Sequence, residues 1–145
     1  MKFKLLAGAC IIKNNKVLLL QQNIKARHPN KWGPPGGHME KDESPIETCL
    51  REVKEEAGID ISINGTVACA IQGKIDKEIS LVLFYSATPK ADTIQVDHDE
   101  ISNYVWVSLK EIENDKYPLR DPLLKKILIR SLTQKPSPVD VFMKY

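Results

Sequence analysis

Apolar positions along the chain keep two rhythms, one of strands and one of helices. Residues 5–13 and 16–22 are rich in Leu, Ile and Val and are parted only by Asn14-Asn15, so they predict a β-hairpin with a tight turn. Residues 45–57 change the period. Ile46, Cys49, Leu50, Val53 and Ala57 fall on one stripe at about 100° per residue and predict an amphipathic helix. Strand-like runs return at 61–72, broken near Asn64-Gly65, and at 78–88. The second holds Leu81-Val82-Leu83-Phe84-Tyr85, an unbroken apolar run that predicts a strand covered on both faces. A further strand is expected at 104–107 and a short helical turn at 109–113. Residues 122–133 then carry Leu123, Leu124, Ile127, Leu128 and Leu132 at helical spacing, with Lys125, Lys126 and Arg130 outside. Strands toward both ends, one helix in the middle and one late predict an α/β fold with a mixed sheet between helices.

The middle helix carries the chemistry. Ser44 is a good N-cap, Pro45 suits the first helical position, and Glu47 completes a Ser-x-x-Glu capping box. Gly58 stands just past the helix, where a left-handed residue is wanted. Off the apolar stripe, Glu52, Glu55 and Glu56 crowd together, with Glu52 and Glu56 about 40° apart on one face. Such crowding repels itself unless something positive lies between the side chains. Most Glu-rich helix faces are simply solvated, but an all-oxygen nest is also what Mg²⁺ or Mn²⁺ prefers, and Mg²⁺ shares its charge with substrate phosphates. Arg51 stands amid these carboxylates, where its guanidinium can pair with Glu43 and hold the preceding loop onto the helix.

Upstream, Trp32-Gly33-Pro34-Pro35-Gly36-Gly37 makes a stiff approach that exposes the Gly37 carbonyl. Trp32 reads as a packing anchor. The polar stretch 23–31 holds Lys25, Arg27, His28 and Lys31. Such a stretch is either an ordinary solvated loop or a source of cations for a polyphosphate, with Arg27 and Lys31 the candidates. His28 has no metal-binding partner pattern.

Gly37, five residues, Glu43, seven residues, then Arg51-Glu52-Val53-Lys54-Glu55-Glu56-Ala57-Gly58-Ile59 matches every fixed position of the Nudix box. The chain resembles the Nudix hydrolase family, whose members cleave nucleoside diphosphates linked to a variable group. The resemblance implies an αβα Nudix sandwich as a single domain over 1–145, with Mg²⁺ or Mn²⁺ as cofactor. It implies metal ligation by the Gly37 carbonyl and by Glu52, Glu55 and Glu56, and structural roles for Glu43, Arg51 and Gly58. A carboxylate just before the Trp-containing strand, Glu100 with Asp97 in reserve, is implied as a further ligand or base. Hydrolysis then needs cations to neutralise phosphate oxygens and activate water, and a carboxylate, Glu55, Glu56 or Glu100, to take the proton. Nothing calls for a covalent nucleophile.

Substrate marks are fewer. Nudix hydrolases of ADP-ribose often show a proline, and those of dinucleoside polyphosphates a tyrosine, at about the same distance after the box; residues 72–77 have neither. Residues 31–37 look more like the MutT-type nucleoside triphosphate pyrophosphohydrolases. In that group a side chain ending the second strand and another before the last helix read the nucleotide, and Gln22 and Asp121 stand at those positions. The expected substrate is a (deoxy)nucleoside triphosphate, with ADP-ribose or a nucleotide sugar as the alternative. Nudix modules that only sense nucleotides usually lack one or more box glutamates, and all are present. An RNA-cap hydrolase is expected to bring a basic RNA-binding surface, and none is evident.

Composition changes this picture little. Of 145 residues 42% are apolar and 28% charged, ordinary for a globular domain, and a net charge of +2 is too small to announce a nucleic-acid polymer or a membrane surface. No run approaches the roughly 20 apolar residues that span a bilayer. The apolar run 5–12 meets Lys13-Asn14-Asn15-Lys16 without a convincing cleavage site, and Leu6 is one position too far from Cys10 for a lipoprotein signal, so a core strand is expected. Cys10, Cys49 and Cys69 lack metal-type spacing and predict buried, reduced thiols in a cytoplasmic protein. The tail 134–145 holds Val139, Val141, Phe142 and Tyr145, too apolar for plain disorder. It is expected to close over the sheet as an arm or to pair with a second subunit in a homodimer.

Overall fold

Two asparagines start the sheet. In the computed structural model, which describes residues 2–74 and 77–139, β1 (Lys2–Lys13) turns through Asn14 and Asn15 into β2 (Lys16–Gln22). Both asparagines lie at positive φ, 51° and 60°, a backbone that Asn tolerates and that suits the twist of a hairpin. The two strands pair at Ile12 with Val17 and Lys13 with Lys16, and each then takes other neighbours. β2 pairs antiparallel with β3 (Trp32–Gly33) and β7 (Ile101–Ser108). β1 pairs antiparallel with β4 (Gly36–His38) and parallel with β6 (Glu78–Pro89). β6 in turn pairs antiparallel with β5 (Ile61–Lys74) at the edge. The sheet is mixed, as expected.

β6 shows why its apolar run is unbroken. Alternation sends Leu83, Tyr85 and Ala87 to one core, with Cys49, Val53 and Ala57 of α1 (Pro45–Ala57). Val82 and Phe84 point to the other, with Leu124, Ile127 and Leu128 of α3 (Pro122–Thr133). The short α2 (Leu109–Glu113) follows β7. One sheet thus lies between helices, in the αβα order implied by the sequence. All three helices have the expected bounds. Ser44 and Glu47 form the capping box of α1, Gly58 sits past its end at φ 69°, and Ser108 and Glu111 make a second box on α2.

Differences arise where pairing overrides pattern. β1 begins at Lys2 because residues 2–4 pair with residues 78–80. β7 begins at Ile101 because Ile101 and Asn103 pair with Gln22 and Gln21, although Ser102-Asn103 looks like loop. At Asn64-Gly65 the strand is bulged rather than broken. Leu50 is 39% exposed, since it lies at the margin of the helix stripe, about 100° from Cys49. Cys10 and Cys49 are buried, and burial pushes both thiols up to about 12. Cys69 is exposed, because β5 is the edge strand. Of the tail, Ser137 exchanges two backbone hydrogen bonds with Thr66 of β5 (2.7 and 2.9 Å), and Val139 packs on the α1-side core. Residues 140–145 lie outside the described residues. Among the described residues no helix is long and apolar enough to cross a membrane.

Gly8 is packed tightly under the approach to β4. A Cβ there would stand 2.5 Å from the Pro35 carbonyl oxygen and 2.7 Å from Phe84 Cε1. Gly8→Ala is therefore expected to destabilise the chain by about 1–3 kcal/mol, the usual range for overpacking. The check is a urea midpoint; a value equal to that of the unsubstituted protein would contradict this packing.

Candidate active site

β4 carries the first box residues under the box helix. Gly36 and Gly37 pair with Gly8 and Ala7 of β1, and α1 crosses above them. The Gly36 N–H donates to Glu56 Oε1 at 2.9 Å. At Gly37 a Cβ would run into the Glu52 carboxyl group, so only glycine lets that carboxylate lie against the backbone. Glu56 is buried, 5% exposed. Burial pushes it up to about 8; the Gly36 N–H opposes the shift, Glu52 adds to it, and the Arg120 cation opposes it. Glu52 is raised as well, chiefly by burial, against the pull of Arg51.

A second layer fixes these two. Arg51 Nε donates to Glu43 Oε2 at 2.7 Å, and Nη2 donates to Glu43 Oε1 and the His38 carbonyl, both at 3.0 Å. Nη1 donates to Glu52 Oε1 at 2.9 Å and lies 3.3 Å from Glu55. Glu43 also accepts from the Glu40 N–H and the Thr48 hydroxyl. The bidentate guanidinium holds Glu43 at about 2, far below an ordinary glutamate, and Glu43 raises Arg51 in return. One arginine thus ties the 38–43 loop to the helix and aims Glu52.

The other predicted residues are spread wider. Glu55 is exposed beside Arg51. Glu100 is exposed just before β7; its carbonyl accepts from the Asn23 N–H, and its charge bears on both Glu52 and Glu56. Asp97 instead uses its carboxylate to cap the Asp99 N–H at 3.0 Å. Gln22 sits opposite Ile101 at the end of β2, its backbone bonded to Asn30 and Lys31. Arg27 and Lys31 are exposed on the 23–31 loop. Neither is joined to the carboxylates by a hydrogen bond or ion pair among the described residues, and the Arg27 charge bears on Glu78. Asp121 caps α3 through the Leu123 N–H and accepts from Gln72 Nε2, each at 2.8 Å. Trp32 is a packing anchor, edge-on to Tyr117 at 5.2 Å and buried. Sequence reasoning missed Arg120, whose Nη2 donates to the Pro34 carbonyl at 3.0 Å and whose charge bears on Glu56. No local spacing connects residue 120 with the box.

The donor set suits a hard divalent cation. Among the described residues no three His, Cys, Asp or Glu side chains converge as a ready-made cage. Mg²⁺ does not need one, because it is usually held by one or two carboxylates plus water and substrate phosphates. Glu52 and Glu56 are two such carboxylates, all-oxygen, partly stripped of water and pressed against glycine backbone, so the residues present fit the ion.

Comparison with known proteins gives the family. A model of the NUDIX domain matches residues 2–127. An 8-oxo-dGTP diphosphatase from Proteus vulgaris is 32% identical over 83 residues, 57% of this chain and 74% of that protein. The mRNA-decapping enzyme subunit 2 of Saccharomyces cerevisiae (strain YJM789) is 30% identical over 145 residues, 95% of this chain but 14% of that protein. A NUDIX hydrolase from Nitrosomonas europaea has the same fold, with a TM-score of 0.85, 25% identity and coverage of 99% of this chain and 98% of its own. The chain belongs to the NUDIX family. It is a hydrolase of pyrophosphate bonds, and enzymes of this family generally use divalent metals.

The Glu43–Arg51 pair has a pH signature. A carboxylate whose folded value lies below its unfolded value of about 4.3 stabilises fully at neutral pH and loses that contribution as pH falls through this range toward 2. Glu43→Gln is expected to lower the urea midpoint at pH 7, and the gap from the parent should narrow toward pH 2.5. A gap that stays constant with pH would contradict the assignment.

Proposed function

We propose that this chain is a Mg²⁺- or Mn²⁺-dependent pyrophosphohydrolase of (deoxy)nucleoside triphosphates, releasing a nucleoside monophosphate and pyrophosphate. The observation that carries the reading is a pair of carboxylates, buried Glu56 and half-buried Glu52, set against Gly36 and Gly37. Glu52, Glu56 and the Gly37 carbonyl would hold the ion, with Glu55 and Glu100 as further ligands at the rim. When bound, the metal neutralises phosphate oxygens and lowers the pKa of a coordinated water. The chain's own residues supply preorganisation: the Gly36 N–H fixes Glu56, and Arg51 fixes Glu52, before any substrate arrives. Glu55 and Glu100, both exposed, are the candidates to take the proton of the attacking water, with Glu56 the third candidate from the sequence.

Arg27 and Lys31 would meet the outer phosphates, and Gln22 the nucleoside. Asp121 would read the base together with Gln72, since a base that bonds its carboxylate must share or replace the Gln72 amide. The 8-oxo-dGTP diphosphatase relative supports a nucleoside triphosphate. ADP-ribose or a nucleotide sugar stays the alternative, and the similarity to a decapping subunit across 95% of this chain, but 14% of that protein, adds capped RNA as a third reading.

The test is a panel of NTPs, dNTPs including 8-oxo-dGTP, ADP-ribose, nucleotide sugars and capped RNA, scored for phosphate against pyrophosphate. Pyrophosphate from a nucleoside triphosphate is expected. On the best substrate Glu56→Gln, which keeps the shape and removes the charge, is expected to lower turnover by at least about a hundredfold. Turnover within a few-fold of the parent would contradict the role of Glu56.

A further inference from the structure

The turn that presents the glycines to the helix has little of its own to hold it. Pro34 and Pro35 lack N–H groups, so the turn can be anchored there only through its carbonyls. The Pro35 carbonyl accepts from the Ala9 N–H at 3.0 Å, and the next amide, Gly36 N–H, points at Glu56. The Pro34 carbonyl is taken by Arg120 Nη2 at 3.0 Å. Arg120 reaches it from a segment sewn to β3. The Trp32 N–H donates to the Pro118 carbonyl at 2.8 Å, and the Arg120 N–H donates to the Trp32 carbonyl at 2.9 Å. Its guanidinium covers Gly33 so closely that a Cβ there would stand 2.5–2.7 Å from Nε, Cζ and Nη2.

We propose that Arg120 is a positioning residue: it clamps the 33–35 turn and so aims the Gly36 amide and Gly37 carbonyl at the carboxylates of α1. The role rests on the hydrolase reading only for its effect on turnover; the clamp itself is independent of substrate. A planar fork is needed to lie on Gly33 while bonding Pro34, so lysine replaces it only in part. Gly33 belongs to the same device, because any side chain there takes the seat of the guanidinium.

Amide hydrogen exchange at Gly36, read by NMR without metal or nucleotide, tests this directly. Arg120→Ala is expected to speed Gly36 exchange at least tenfold while amides in the β1–β6 ladder change less than twofold. Arg120→Lys should fall between the two, and Gly33→Ala should match Arg120→Ala, with no further gain in the double variant. On the best substrate kcat should fall in the same order, at least tenfold for Arg120→Ala, with KM within threefold. Gly36 exchange within twofold of the parent in Arg120→Ala, or equal acceleration throughout the sheet, would overturn the proposal. If Arg120→Ala does not fold, Gly33→Ala and Arg120→Lys decide by the same thresholds. An inactive parent across the substrate panel would sink the hydrolase reading alone, since exchange needs no turnover.

Discussion

A carboxylate held almost out of water against a single backbone N–H organises this molecule. Glu56, expected off the apolar stripe with Glu52 and Glu55, instead lies at the margin of that stripe, about 20° from Cys49 around the helix, so it is buried and ends on the Gly36 amide. Charging such a group is costly unless a cation is near. Everything around it limits the ways that cost can be met. β4 must lie close enough to offer its amide, which needs glycines at 8, 36 and 37. The approaching turn must be rigid, which two prolines and a clamped carbonyl provide. Glu52 must stay beside it rather than swing to solvent, which Arg51 ensures.

The two arginines divide the work. Arg51 is surrounded by carboxylates and is consumed by them, its guanidinium satisfied by Glu43, Glu52 and the His38 carbonyl. It orders the loop but leaves the Glu56 charge unanswered by any direct ion pair among the described residues. Arg120 touches the backbone of the turn and acts on Glu56 only through the field. Glu52 shares its arginine with Glu43 and Glu56 has none, so burial raises both carboxyls where the helix meets the glycines, and a cation between them would favour their charged forms. A divalent ion and an anionic phosphate chain complement each other at such a spot, because the ion answers both.

What could be read from the sequence was local or periodic. The α1 cap, its length and its Gly58 terminus rest on neighbours within a few residues, and the carboxylate spacing follows from helix geometry alone. The unbroken run in β6 announced burial on both faces, and the two cores bear this out. Long-range partners were illegible. Nothing in residues 118–121 points to Trp32 or Pro34, nor does Gln72 announce Asp121, since those contacts exist only once α3 folds back on the sheet. The start of β7 was hidden for the same reason: Ser102 and Asn103 are polar, and only pairing with β2 makes them strand. Leu50 and Cys69 marked the opposite limit, apolar residues whose surroundings end before they are covered.

The most direct measurement is a crystal grown with Mn²⁺ and a non-hydrolysable nucleoside triphosphate, with anomalous scattering used to locate the ion. Density bridged by Glu52, Glu56 and the Gly37 carbonyl, with the triphosphate against it, is the expected result. Manganese bound elsewhere, with the two glutamates turned apart and nothing between them, would contradict a metal site built on this pair.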